Sequence, residues 1–322
     1  MKTLNCVCSQ FLKVCEKQKN LSAHTLKAYE IDLAQFKACI GSNALTIAIG
    51  KEQIKRFHIW LIELELSPTS IKRKLACVKA MFRWLELEEA IEANPFHKVK
   101  LEIKLPRLLP KNVEANNLIQ MISTARRRCP LLRINDHALL QTKLTGLHKR
   151  ELNDYTVLVA LEVMLATGVR VGELSRLKIA DISFPKQKIK ILGKGSRERY
   201  VYIPDDELNQ LLQTYIILRQ ELNPDTDNFL INSRSKPAST QFLRKLIKNI
   251  AEKAKISQKV TPHMLRHSAA CELLDSGLDI RFVQRLLGHS SISTTEIYTH
   301  VSDNILQEKV TAANVRGKLS LK

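Results

Sequence analysis

The sequence predicts a mainly α-helical protein of two domains with one small β-element in its second half, and three observations carry that prediction. The strong helix formers Leu, Ala, Lys, Glu and Gln dominate a chain of 322 residues that is 44% apolar and only 5% aromatic. Apolar residues recur at three- and four-residue spacing through long stretches of both halves. Apolar–polar alternation stands out in one place, "KQKIKILGKGSRERYVYIP". A length of 322 residues also exceeds what one small core organises.

The N-terminal "MKTLNCVCSQFLKVCEKQKN" has a short apolar run broken by Lys13 and no small-residue cleavage site, so it reads as an amphipathic first helix rather than a signal peptide. The second helix opens at "NLSAHTLKAYEIDLAQFKACI", with Leu26, Tyr29, Leu33 and Phe36 at helical spacing. The third lies near 51–66, with Ile54, Phe57, Trp60, Leu61 and Leu64. The fourth starts at a cap followed by proline, Ser67-Pro68, and places Ile71, Leu75, Val78, Met81, Phe82 and Leu85 on one face. Lys72, Arg73, Lys74, Lys79 and Arg83 fall elsewhere around it. That basic face suits a DNA groove, although a solvated helix surface has the same pattern; Lys72, Arg73 and Lys79 are the DNA-binding candidates.

Pro95, Pro106 and Pro110 then interrupt the pattern. We read 1–105 as a first domain, 106–112 as a linker and 113–322 as a second domain. Residues 126–153, charged and weakly periodic, read as a surface insertion in it. The alternating stretch predicts a β-hairpin turning at Gly193-Lys194-Gly195-Ser196, which lacks the spacing of a phosphate-binding P-loop.

The formal net charge is +19, and the excess is spread along the chain: residues 1–105 hold 17 Lys and Arg against 11 Asp and Glu, and residues 155–322 hold 25 against 17. Basic surface on both halves makes nucleic acid the first partner to expect. The seven cysteines are odd in number and lack zinc-ligand spacing, so they read as reduced thiols of a cytoplasmic protein. No segment approaches the roughly 20 apolar residues of a membrane span.

Four short stretches carry candidate chemistry. In "LATGVRVGELSRL" a helix end, a glycine turn and a new helix fix Arg170 at a junction, with Glu173 three residues on. Lys194 occupies the hairpin turn. In "TPHMLRHSAAC" Thr261 is a plausible N-cap and Pro262 the first helical residue, so His263 and Arg266 share one face of a first turn whose free N–H groups favour an anion. In "LLGHSSISTTEIYTH" Gly288 closes a helix, His289 follows, and a new helix carries Tyr298.

Each has a bland alternative: a surface ion pair, a structural histidine, a core tyrosine. Together they form the set that metal-free phosphodiester chemistry needs. Guanidinium groups bind non-bridging phosphate oxygens. A tyrosine attacks covalently, and a lysine or histidine protonates the leaving oxygen. There is no carboxylate cluster of the kind that holds two Mg²⁺.

On these residues the chain resembles the tyrosine recombinases, the phage-integrase family, and within them the Xer-type recombinases. The likeness lies in "ATGVRVGEL", "GKGSRERYVYIP", "HMLRHSAACELLDSGLDIRFVQRLLGH" and "SSISTTEIYTH", and in the N-terminal "LSAHTLKAYEIDLAQF" and "SPTSIKRKLACVKAMFRWL". It implies a four-helix SAM-like core-binding domain, then an α+β catalytic domain of the DNA breaking-rejoining fold with a small β-sheet. It implies that Arg170 and Arg266 hold the scissile phosphate and that Tyr298 attacks it to leave a 3′-phosphotyrosyl link. Lys194 would protonate the 5′-oxygen, His263 assist proton transfer at the tyrosine, His289 hydrogen-bond the phosphate and Glu173 orient Arg170. His267 would be structural. The resemblance further implies no metal or other cofactor, double-stranded DNA as partner and a tetramer on two sites, formed with itself or with a related recombinase. A plasmid origin would fit. Ala269 and Cys271 stand where the family commonly has phenylalanine and threonine, at positions that read as packing. The tail after Tyr298 would dock on a neighbouring subunit or on its own domain.

The expected activity is therefore site-specific strand exchange for integration, excision or resolution of replicon dimers. The alternatives are a recombinase-derived regulator that binds DNA without cutting and a type IB topoisomerase. The intact set of six residues argues against the first, and the separate N-terminal bundle against the second.

Overall fold

The computed structural model describes residues 2–104, 112–133, 151–193 and 197–288. The chain falls into two compact units, Met1–Leu108 and Leu109–Lys322.

In the first unit, α1 (Leu4–Lys17), α2 (Ala23–Ile40), α3 (Lys51–Glu63) and α4 (Pro68–Leu87) surround one aromatic core. Thr3, Ser22 and Ser67 cap α1, α2 and α4 with side-chain oxygens that accept first-turn N–H groups, and Pro68 takes the first helical position of α4. Phe11, Phe36, Phe57 and Phe82 are fully buried, and the rings of Phe36 and Phe57 meet edge-on at 4.9 Å.

One expectation on α4 is corrected. Lys74 does not belong to the basic face: it is 4% exposed and its Nζ lies 2.9 Å from Oδ1 of Asp32, which is itself fully buried on α2. Lys74 follows Ile71 by three residues and precedes Val78 by four, so it lies on the apolar stripe. Arg73 donates to the other oxygen of Asp32 at 2.5 Å and stays half-exposed. Lys72, Lys79 and Arg83 face solvent.

In the second unit, α6 (Leu152–Thr167) is apolar around most of its circumference and buried along most of its length, as befits a central helix. Around it pack α5 (Ala115–Arg127), α8 (Asp206–Gln220), α9 (Thr240–Lys253) and α10 (Pro262–Asp275). A four-residue α7 (Val171–Leu174) follows α6, and α11 (Ile280–Leu287) follows α10.

The alternating stretch forms an antiparallel pair, β2 (Lys188–Leu192) with β3 (Glu198–Tyr202), in which Ile189 faces Val201 and Ile191 faces Arg199. A two-residue strand β1 (Ile182–Ser183), too short to announce itself by alternation, adds to β2. The flanks of 126–153 belong to the fold. Arg126 and Arg127 end α5, Arg128 forks onto Asp154 at 2.8 and 3.0 Å, and Cys129 and Leu131 join the core. Residues 134–150 lie outside the described residues.

All seven cysteines are free thiols, and burial raises those of Cys8 and Cys271 to about 11. Among the described residues no helix is long and apolar enough to cross a membrane.

Candidate active site

The site is assembled where the end of α6, the start of α10 and the end of α11 meet. Helix α6 stops at Gly168 in the left-handed conformation, φ 62°, as the sequence predicts. A Cβ at that position would stand 2.5 Å from Cδ2 of Leu287, so glycine suits both the left-handed turn and the close approach of α11. The chain runs through fully buried Val169 into Arg170, the extended N-cap of α7. Glu173, three residues on, reaches back: its Oε2 accepts the Arg170 backbone N–H at 2.9 Å, and its Oε1 accepts Nη1 of Arg170 at 3.0 Å.

Arg266 comes from the first turns of α10, where Thr261 caps the helix and Pro262 is its first residue. It is 5% exposed. Its Nη1 donates to the Gly168 carbonyl at 2.6 Å, and its Nη2 donates to the Leu287 carbonyl at 2.9 Å.

Helix α11 ends at Gly288, also left-handed, at φ 67°. The carbonyls at a helix end lack intrahelical partners and carry partial negative charge. Here three arginines answer them. Arg199 donates through Nε to Leu286 at 2.7 Å, Arg170 and Arg266 both donate to Leu287, and Arg170 reaches Gly288 at 3.5 Å. Neutral backbone groups thus help to fix the orientation of Arg170 and Arg266, alongside the Glu173 contact of Arg170. Arg170 keeps a side chain 40% exposed. Two guanidinium groups in this geometry can bind the oxygens of a phosphate.

Arg199 belongs to this cluster and is not among the residues that the sequence motifs single out. Its guanidinium forks onto Glu173, with Nη1 to Oε1 at 2.9 Å and Nη2 to Oε2 at 2.7 Å, and its side chain is only 12% exposed. The signal for it is the strand register: Arg199 faces Ile191 and shares the inward face of Val201, so a charge occupies a core-facing position. Burial pushes the Glu173 carboxyl up, but the Arg199 fork, the Arg170 N–H and the two positive charges outweigh it and hold the group below its usual value.

His263 sits in the first turn of α10 and is open to solvent. Desolvation, then the charges of Arg244, Arg266 and Arg170, push its imidazole below the usual value, and the neutral form that this favours is the one that accepts a proton. His267 is buried, with Cys271 Sγ 4.0 Å from its Nε2, and Ala269 is buried beside Gly168.

The structure therefore brings together Arg170, Glu173 and Arg266, with His263 within reach of their field. Lys194, His289 and Tyr298 lie outside the described residues, although the strands flanking Lys194 and the helix end preceding His289 are described. Lys72, Arg73 and Lys79 belong to α4 in the first unit.

Comparison with known proteins gives two family matches: residues 137–304 to the phage integrase family and residues 8–89 to the phage integrase N-terminal SAM-like domain. A tyrosine recombinase of Agathobacter rectalis is 33% identical over 306 residues, covering 94% of each chain. Tyrosine recombinase XerC of Listeria innocua is 32% identical over 307 residues, covering 92% of this chain and 94% of that one. Among solved structures, the XerH site-specific recombinase bound to a palindromic difH substrate in a post-cleavage complex superposes with a TM-score of 0.71. It shares 23% identity and covers 95% of this chain and 84% of the other.

Proposed function

The chain belongs to the phage integrase family, the tyrosine recombinases, and on that premise we propose that it carries out site-specific DNA strand exchange through a transient protein–DNA bond. The observation that carries the assignment of roles is the convergence of Arg170 and Arg266 on the C-terminal carbonyls of α11. That arrangement holds two cationic forks in one place, both donating to the Leu287 carbonyl.

In this reading Arg170 and Arg266 take the non-bridging oxygens of the scissile phosphate and stabilise the charge that builds up at phosphorus. Tyr298 Oη attacks phosphorus and the bond to the 5′-oxygen breaks. The tyrosine proton passes to neutral His263, and the departing 5′-oxygen takes a proton from Lys194. His289, directly after the carbonyls that hold the arginines, hydrogen-bonds the same phosphate. The 3′-phosphotyrosyl bond retains the energy of the broken linkage, so a 5′-hydroxyl of a second duplex can reverse the step and complete the exchange. Glu173 orients Arg170.

Double-stranded DNA is the partner, with Lys72, Arg73 and Lys79 of α4 contributing phosphate contacts. Exchange between two duplexes cuts four strands, and each chain supplies one nucleophilic tyrosine, so the working assembly is four recombinase chains on two sites, all of this chain or shared with a related recombinase. Integration, excision and replicon dimer resolution all use this chemistry.

Covalent capture tests the reading. The chain is expressed in its host, cells are denatured rapidly, and protein-linked DNA is sequenced, with Tyr298→Phe as control. Adducts at one short sequence, absent from the variant, are the expected result. Specific binding by footprinting without any tyrosine-dependent adduct, even with a related recombinase added, would replace strand exchange with a non-cutting regulatory role.

A further inference from the structure

We propose that Arg199 is a positioning residue that serves as the counter-ion of Glu173 and thereby leaves the charge of Arg170 free for the scissile phosphate. The inference rests on the reading of Arg170 as a phosphate ligand.

A buried carboxylate draws the nearest cation onto itself. Were Arg170 the only cation beside Glu173, the pair would be close to neutral and Arg266 alone would meet the phosphate. Instead both oxygens of Glu173 are taken by the Arg199 fork, at 2.9 and 2.7 Å, and Arg170 adds a single side-chain bond at 3.0 Å. The burial order agrees: the Arg199 side chain is 12% exposed and the Arg170 side chain 40%. The inner arginine satisfies the carboxylate, and the outer one keeps an open face.

Arg199 is fixed on its other sides too. Its Nε holds the Leu286 carbonyl at 2.7 Å, and its guanidinium lies against Gly288, where an added Cβ would approach its atoms to 3.1–3.2 Å. It thus ties β3, the Arg170–Glu173 turn and the end of α11 into one unit. Lys194 lies in the sequence between β2 and β3.

The test uses the full chain and the duplex recovered by covalent capture, presented either with its normal scissile phosphodiester or with a methylphosphonate there. The methylphosphonate lacks the negative charge that the arginines neutralise. R199Q is expected to form the tyrosine adduct roughly 10²-fold more slowly on the phosphodiester, the scale of losing one charge-stabilising donor. On the methylphosphonate it is expected to cut at nearly the wild-type rate. Adding Glu173→Gln to R199Q removes the charge that needs a counter-ion, and the double variant is expected to recover most of the loss.

Equal losses on both substrates, with no recovery in the double variant, would reduce Arg199 to a structural part and overturn the proposal, as would wild-type rates in R199Q. Should R199Q fail to fold, R199K keeps the counter-charge without the fork and is expected to stay within about tenfold of wild type. A folded R199K as slow as roughly 10²-fold below wild type would also overturn it. Absence of any adduct in the wild-type chain would sink the recombinase reading itself, and this inference with it.

Discussion

The basic face of α4 and the arginine cluster at the end of α11 are both rich in positive charge, and they are built in opposite ways. On α4, Lys72, Lys79 and Arg83 stand in solvent, and the charges that are fixed, Lys74 and half of Arg73, are fixed by a carboxylate, Asp32. At the end of α11, backbone carbonyls hold Arg170 and Arg266, and Glu173, which Arg170 also meets at 3.0 Å, is forked by a third arginine. Mobile exposed cations support affinity for a polyanion that depends on salt and not on register. Cations locked by neutral acceptors keep their charge in one defined place, which is what stabilising a transition state requires.

The largest expected effect probes the locked side of that contrast. Arg266→Lys keeps the charge and gives up the two donors aimed at Gly168 and Leu287. Adduct formation in a single turnover at saturating protein should fall by roughly 10²–10³-fold, while footprinting of the bound duplex changes little. An unaffected rate would mean that charge without geometry suffices, and the distinction between the two regions would collapse.

The next effect concerns the carboxylate on the other side. Asp32→Ala strands Lys74, which is buried, and should lower the unfolding free energy by about 3 kcal/mol in urea denaturation, the scale for breaking one partner of a buried pair. Replacing both, Asp32→Ala with Lys74→Met, should recover most of that loss. No destabilisation in the single variant would show that Lys74 reaches water and belongs to the basic face after all.

Much of the fold and part of the site are legible in the sequence. Ser67-Pro68 and Thr261-Pro262 mark helix starts because cap and proline chemistry is local. Gly168 and Gly288 mark helix ends because only glycine takes that turn cheaply. Alternation reveals the hairpin but not Arg199, since one charge on an otherwise apolar face looks like a surface residue until the register is known. Lys74 hides for a similar reason: its charge argues for solvent, while its place between Ile71 and Val78 on the apolar stripe argues for the core, and the buried partner on α2 decides between them. The i,i+3 spacing announces the Glu173 contact of Arg170, but the anchoring of Arg170 and Arg266 on the Leu287 carbonyl has no sequence signature, because backbone carbonyls look alike in every residue. The roles of Lys194, His289 and Tyr298 rest on motif and order.

The smallest effect returns to α4. Lys79→Ala removes one exposed cation that has no part in the buried Asp32 network. If Lys79 contacts a phosphate, affinity for the duplex should drop by about 1 kcal/mol or less, similarly for specific and unrelated sequences, and the salt slope of log K should shrink by about 1. Saturating the variant with DNA should restore the yield of adduct, as it cannot for Arg266→Lys, because the loss lies in holding the duplex and not in stabilising the reaction. A sequence-dependent loss would instead make α4 a reader of bases, and its exposed charges would then be as positioned as those at the end of α11. An unchanged salt slope would assign Lys79 to plain solvent surface and shift the search for phosphate contacts to Lys72 and Arg73.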